Sequence, residues 1–165
     1  ECRSHDARLA TVGAAAGTHL MLEAFFPGLA SSGYEITSPK SDAYNCIAWA
    51  ASDVHHWWWP VPAEDTFWPP AVPREATLEA FVAAFATLGY EVCQHPDWEP
   101  GFEKVALYAR ESAPTHAARQ CQDGHWTSKL GALEDVRHDS LESLAGDIYG
   151  QATVFLRRPA DARNA

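Results

Sequence analysis

Several things are missing from this sequence. It has no cluster of Lys and Arg, no CxxC pair, no GxGxxG or Walker string and no internal repeat. No apolar run approaches the roughly 20 residues of a membrane span. Each absence excludes a class. Phosphate backbones are bound by clustered cations, and this chain carries 12 basic against 22 acidic residues, a net charge of -10, so nucleic acid is not the expected partner. A membrane is not expected either. The missing glycine-rich strings argue against dinucleotide and P-loop chemistry. The cysteines Cys2, Cys46, Cys93 and Cys121 are widely and irregularly spaced, which fits neither a zinc ribbon nor a thioredoxin motif.

What is present describes a folding chain. Its 165 residues fit one domain, and 47% of them are hydrophobic, too many for overall disorder. That core content makes a disulfide scaffold unnecessary. A reducing compartment follows, cytoplasmic first, with a secreted effector as the alternative. The acidic start and broken apolar content of Glu1–Gly17 do not read as a signal peptide. The domain expectation is a weakly ordered lead-in over 1–20, one α+β domain over 21–158 and a tail over 159–165.

Along the chain, Leu20–Phe26 reads as a short helix ended by Pro27-Gly28, and Tyr34–Thr37 as extended. Asp42–Ser52 reads as a buried helix with Asp42 as N-cap. Residues 55–73 form a Pro- and Trp-rich loop without periodicity. Leu78, Phe81, Val82, Phe85 and Leu88 share one helical face, which predicts a core helix over Arg74–Leu88. Strands follow at Tyr90–Cys93, Lys104–Ala109, Thr115–Gln120, His125–Leu130 and Thr153–Arg158. Asp123-Gly124 marks a hairpin, and Ser140–Leu144 reads as a short helix. Helices segregated from an antiparallel meander define an α+β class.

Cys46 is the first candidate for chemistry. A thiol in the first turn of a helix feels the positive end of the backbone dipole, which favours thiolate. A small buried hydrophobe is the plainer role for such a cysteine. His116, early in a strand some 70 residues on, is the matching base, since a Cys–His couple needs contact in space only. A third group should orient the imidazole. Simple hairpin pairing places His116 opposite Lys129. Ser128 beside it is the better orienter, reached through a one-residue offset or a bulge. Asp135 and His138 are alternatives. Asn45 offers an amide to an oxyanion, or a local cap. Trp57, Trp58 and Trp59 either wall a cleft for substrate or cap the core under the loop. No metal or other cofactor is expected, because Cys93 with His95 and the adjacent His55 and His56 lack zinc spacing. Scattered carboxylates argue against a glycosidase pair.

A helix-borne Cys, a later strand His and a polar residue on the next strand together resemble the papain-like cysteine hydrolase superfamily. That superfamily includes bacterial cell-wall peptidases and transglutaminase-like enzymes. The strings Asn45-Cys46-Ile47-Ala48-Trp49-Ala50, Thr115-His116-Ala117-Ala118-Arg119-Gln120 and Trp126-Thr127-Ser128-Lys129-Leu130-Gly131 also resemble an uncharacterised bacterial domain family, over about Phe25–Arg158. The resemblance implies Cys46 as nucleophile and His116 as base. It implies a papain-like fold, with the Cys-bearing helix on an antiparallel sheet of about four to five strands. Such enzymes commonly carry Asp, Asn or His at the third position, where this chain offers Ser128. The expected function is a cysteine hydrolase acting on an amide or related acyl bond of a peptide, protein or other substrate. The alternatives are a catalytically weak or inactive binding module on the same fold, and a toxin or effector domain of a larger polypeptide. The last is motivated by a chain that starts at Glu1 rather than Met.

Overall fold

A computed structural model describes residues 12–161, with side chains from residue 16 onward. Helix α1 (Val12–Phe25) and helix α2 (Pro27–Ser32) lead into strand β1 (Tyr34–Ser38). Next come helix α3 (Cys46–Ala50), strands β2 (Trp57–Trp58) and β3 (Thr66–Phe67), and helix α4 (Leu78–Ala86). Strands β4 (Glu91–Cys93), β5 (Phe102–Arg110), β6 (Ala113–Gln120), β7 (Trp126–Lys129) and β8 (Asp135–His138) follow. A 3-10 turn (Leu141–Leu144) and strand β9 (Gln151–Pro159) complete the chain.

Seven strands form one antiparallel sheet in the order β1-β8-β7-β6-β5-β9-β4, and β2 and β3 form a small parallel pair. The α+β class is therefore as expected, but the sheet exceeds the four to five strands anticipated. β4 falls within the expected strand Tyr90–Cys93. The additions lie together at the other end of the sheet: β1, which read only as extended, and β8, whose Asp135, Arg137 and His138 show no apolar run of the kind that marks a strand in sequence.

Both faces of the sheet are covered, which is why central strand β5 is buried along most of its length. Alternation along it sends Val105 and Leu107 to one face and Ala106 and Tyr108 to the other. On the first face these residues join Ala117 and Leu156 under α3, α4 and the Trp/Pro loop. On the second, Ala118, Trp126 and Val136 pack with Leu22, Phe26, Leu29, Leu141 and Leu144 from α1, α2 and the 3-10 turn.

Helices α3 and α4 are shorter than the sequence suggested, because other residues cap them, while Pro27, expected to end a helix, instead opens α2. Asn45, not Asp42, is the N-cap of α3: its Oδ1 accepts from Ala48 N–H at 3.1 Å. Thr77 caps α4 by accepting from Ala80 N–H at 3.2 Å, so that helix starts four residues inside the expected boundary. Helix α1 occupies 12–20, where a weakly ordered lead-in was expected; an alanine-rich stretch favours helix. Residues 1–11 and 162–165 of the expected lead-in and tail lie outside the described residues. Loop 55–73 is held by the β2–β3 pairing.

Two glycines separate conformational cost from steric cost. Gly89 (φ +86°) has open space around a would-be Cβ, whereas Gly150 (φ +73°) backs onto the carbonyl of Ala109. Gly89→Ala should cost about 1–2 kcal/mol, the penalty of a left-handed L-residue. Gly150→Ala should cost more than about 3 kcal/mol, because backbone must also move. Urea midpoints compare the two; equal losses would show that the Ala109 strand gives way freely.

Candidate active site

The site is set by where two strands part. β6 and β7 are paired only at Arg119 with Thr127 and Gln120 with Trp126. β7 continues beside β8 through Lys129, opposite Asp135, while the earlier half of β6 keeps only β5 as a neighbour. Helix α3 packs against both parted strands. Its first residue, Cys46, is 5% exposed. The backbone N–H of Ala117 meets the sulfur, as do the amides of Cys46 and Ile47 in the first helical turn.

The adjacent residue, His116, is fully buried. A register shift between Tyr108 and Ala109 of β5 leaves Thr115 as an extra residue in β6 just before His116, a bulge that re-aims the strand. Thr115 Oγ1 donates to Tyr149 O at 2.5 Å. Tyr149 then stacks on the imidazole, with ring centroids 4.1 Å apart and an interplanar angle of 13°. Tyr108 meets the same ring edge-on at 5.2 Å.

Ser128 lies on the face of His116. The observed register is one residue away from simple hairpin pairing. Continued past Arg119, it sets Ser128 opposite Ala118, two residues and hence one face from His116. Ser128 Oγ is 3.0 Å from His116 Nε2 and 2.9 Å from His138 Nε2, while His138 Nδ1 is 2.7 Å from Ser140 O. Two of the three orienter candidates, Ser128 and His138, are thus consecutive members of one chain.

The direction of that chain follows from its last member. A carbonyl only accepts, so His138 Nδ1 carries the proton, and neutral His138 presents a lone pair at Nε2. Ser128 O–H donates to it, and Ser128 Oγ accepts from His116 Nε2–H. His116 Nδ1 is then the unprotonated nitrogen, and it is buried without a hydrogen-bond partner, the Cys46 sulfur included.

Electrostatics keep all three groups neutral. Burial pushes the Cys46 thiol up to about 11, opposed by the backbone amides and by the Lys129 charge. Burial, then the neighbouring His138, holds His116 well below the usual imidazole value. Burial lowers His138 to about 4 against the Ser140 carbonyl, which favours its charged form. The resting pair is therefore thiol and imidazole rather than thiolate and imidazolium.

A second polar cluster borders the sulfur. The Lys129 side chain is wholly buried, with Nζ donating to Leu133 O, 3.9 Å from Asp135 Oδ1 and 5.2 Å from the centroid of the Tyr44 ring. Tyr44 O–H donates to Asp135 Oδ2 at 2.7 Å. Asp135, the third orienter candidate, thus belongs to this cluster and not to the His116 chain. Sequence reasoning missed Lys129 and Tyr44 as members of the site. Lys129 is the alternate neighbour of Ser128 on a strand, which placed it on the other face and beside α3, and that was the available signal.

The remaining candidates have structural partners. Asn45 Oδ1 accepts from Ala48 and Trp58 N–H, and its Nδ2 donates to Trp58 O at 2.8 Å. That clamp fixes the tryptophan loop to the start of α3. Trp58 is buried in the first core, with Nε1 donating to Asp53 Oδ2. Trp59 packs edge-on against Phe81 at 5.4 Å. Trp57 is half-buried. Cys46 and Cys93 are free thiols, and Cys121 is disulfide-bonded. Among the described residues no group of three or more His, Cys, Asp or Glu is placed to hold a metal ion. No helix among them is long and apolar enough to cross a membrane.

Residues 35–157 match a family described as a Domain of unknown function (DUF7689). No curated protein and no solved structure matches the chain.

The buried neutral histidines make stability depend on pH. His138 titrates near 4 in the fold and near 6.5 when unfolded, so the unfolded chain takes up the proton first as pH falls. Its contribution is complete above about pH 6.5 and is lost toward pH 4, roughly 3 kcal/mol at 1.36 kcal/mol per unit. His116 adds in the same direction. Urea midpoints measured from pH 7 to 4.5 should fall, and the slope should be shallower in His138→Gln; identical slopes would rule out this origin.

Proposed function

We propose that this chain, which belongs to the DUF7689 family, is a papain-like cysteine hydrolase acting on an amide or related acyl bond. One observation carries the reading. A directed hydrogen-bond chain from the Ser140 carbonyl through His138 and Ser128 holds His116 with the Nδ1 lone pair unspent, one residue from the amide that meets the Cys46 sulfur. A structural histidine in a core normally satisfies both nitrogens. This one keeps the nitrogen that a general base uses.

The roles follow from the resting charges. With a neutral thiol, proton removal accompanies attack rather than preceding it. His116 Nδ1 takes the Cys46 proton as the sulfur bonds to the acyl carbon. The imidazolium so formed donates that proton to the leaving nitrogen as the C–N bond breaks. Water then attacks the thioester, with His116 again the base, and Cys46 leaves as thiol. Ser128 and His138 are positioning residues that hold the tautomer, as the third group of a triad does. The backbone N–H of Cys46 faces the developing oxyanion. Asn45, whose amide is engaged on Trp58, positions α3 and its loop. The substrate class is a peptide, protein or other amide. Trp57, which unlike Trp58 and Trp59 does not pack on the first core, is the one left to meet it.

A specific observation supports a second reading. Cys46 is 5% exposed and His116 wholly buried, so substrate reaches them only after the site opens. A binding module, or an effector domain of a larger polypeptide, on the same fold needs no opening.

Acyl transfer from p-nitrophenyl acetate at pH 7 separates the two. As an enzyme, the protein should carry an acetyl group on Cys46 detectable by mass spectrometry, absent in Cys46→Ala. The acylation rate should drop about 10²-fold or more in His116→Ala and about tenfold in Ser128→Ala. Iodoacetamide labelling of Cys46 should slow in His116→Ala, with Cys93 unchanged. Equal Cys46 labelling in wild type and His116→Ala, without acylation, would establish the binding module instead.

A further inference from the structure

A cavity lies on the second face of the sheet, among residues of the second core and away from α3 and Cys46. It has a volume of about 330 Å³, and its lining includes Asp97, Trp98, Trp126, Asp139, Leu141 and Glu142. Its volume sits at the lower end of small-molecule sites, about 300–1,000 Å³, which suits a ligand of amino-acid size.

The lining has a definite chemistry. Trp126 and Leu141 are buried and give an apolar floor, whereas Trp98 is 50% exposed and leans on the Gly124 turn. An indole half in water on the wall of a cavity is a large apolar surface left uncovered. Three carboxylates, Asp97, Asp139 and Glu142, line the same cavity, and no Lys, Arg or His does. Asp139 faces His125 Nε2 at 3.4 Å, while neither Asp97 nor Glu142 is in an ion pair among the described residues. Aromatic faces attract cations through their quadrupole, Trp most strongly, and the unpaired carboxylates add a field of the same sense.

We propose that this cavity binds a small organic cation, an ammonium on an apolar stem. The stem lies against Trp126 and the floor, and the cationic head lies by Trp98 under Asp97 and Glu142. The inference is independent of the Cys46 reading, because it uses none of those side chains.

The test is a titration of the full chain with choline and with 3,3-dimethyl-1-butanol, its uncharged isostere, followed by amide and indole N–H chemical shifts. Choline should shift the Trp98 and Trp126 indole signals saturably, at least fivefold more tightly than the alcohol. Binding should weaken at least fivefold in Trp98→Leu, an exposed position whose change leaves the fold intact. It should also weaken in Asp97→Asn with Glu142→Gln, and with added salt. Equal binding of the alcohol, indifference to Trp98→Leu, or no saturable shift by 50-fold excess ligand over 1 mM protein (about 50 mM, the weak end of measurable affinity) would each overturn the proposal.

Discussion

A strand that loses its neighbour must satisfy its freed N–H and C=O groups in some other way. β6 leaves β7 after two paired residues, and the chain answers with the first turn of α3, whose Cys46 sulfur takes the Ala117 amide. The other features of the site depend on this parting. It lets a helix terminus approach the plane of the sheet, and it leaves Ser128 and Lys129 paired to β8 alone. Those two residues point to opposite faces, Ser128 into the histidine chain and Lys129 toward Tyr44 and Asp135.

The parting also explains how so many polar groups are tolerated in a core. His116, Ser128, Lys129, Asp135 and His138 are all buried, a costly arrangement unless partners are supplied. Most are supplied, some from a few residues away and others from distant parts of the chain. Tyr149 and Tyr108 box the His116 ring, Ser140 terminates the histidine chain, and Leu133 with Asp135 holds the Lys129 ammonium. Among these five residues, two atoms stay without a hydrogen-bond partner, His116 Nδ1 and Asp135 Oδ1. The Asp135 cluster contains the Lys129 charge that acts on the Cys46 sulfur, and His116 stands one residue before the Ala117 amide that meets it.

Much of the site was legible one residue at a time. A cysteine at the start of an apolar stretch, a histidine early in a strand and a serine across an Asp-Gly hairpin were each visible as types in a pattern. The core helix around Phe81 and Phe85 was visible from its periodicity, and strands β5, β6 and β9 from their apolar content. Strand β8 was not, because Asp135, Arg137 and His138 read as polar loop until their partners on β1 and β7 are known. The cap of α3 was misplaced for a related reason. Asp42 and Asn45 are equally good cap residues by type, and the Trp58 backbone that selects Asn45 is 13 residues away.

Local chemistry thus determined which elements form and which side chains are able to react, since propensity, capping and periodicity act within a few residues. Tertiary structure decided the rest. The one-residue register of β6 on β7 put Ser128 on the face of His116. The bulge at Thr115 and the stack of Tyr149 aimed the ring. Burial set the thiol and both imidazoles neutral, reversing the thiolate that the helix terminus alone would favour. Register, stacking and desolvation are sums over neighbours distant in sequence, and desolvation of a fully enclosed charge outweighs the dipole of a five-residue helix.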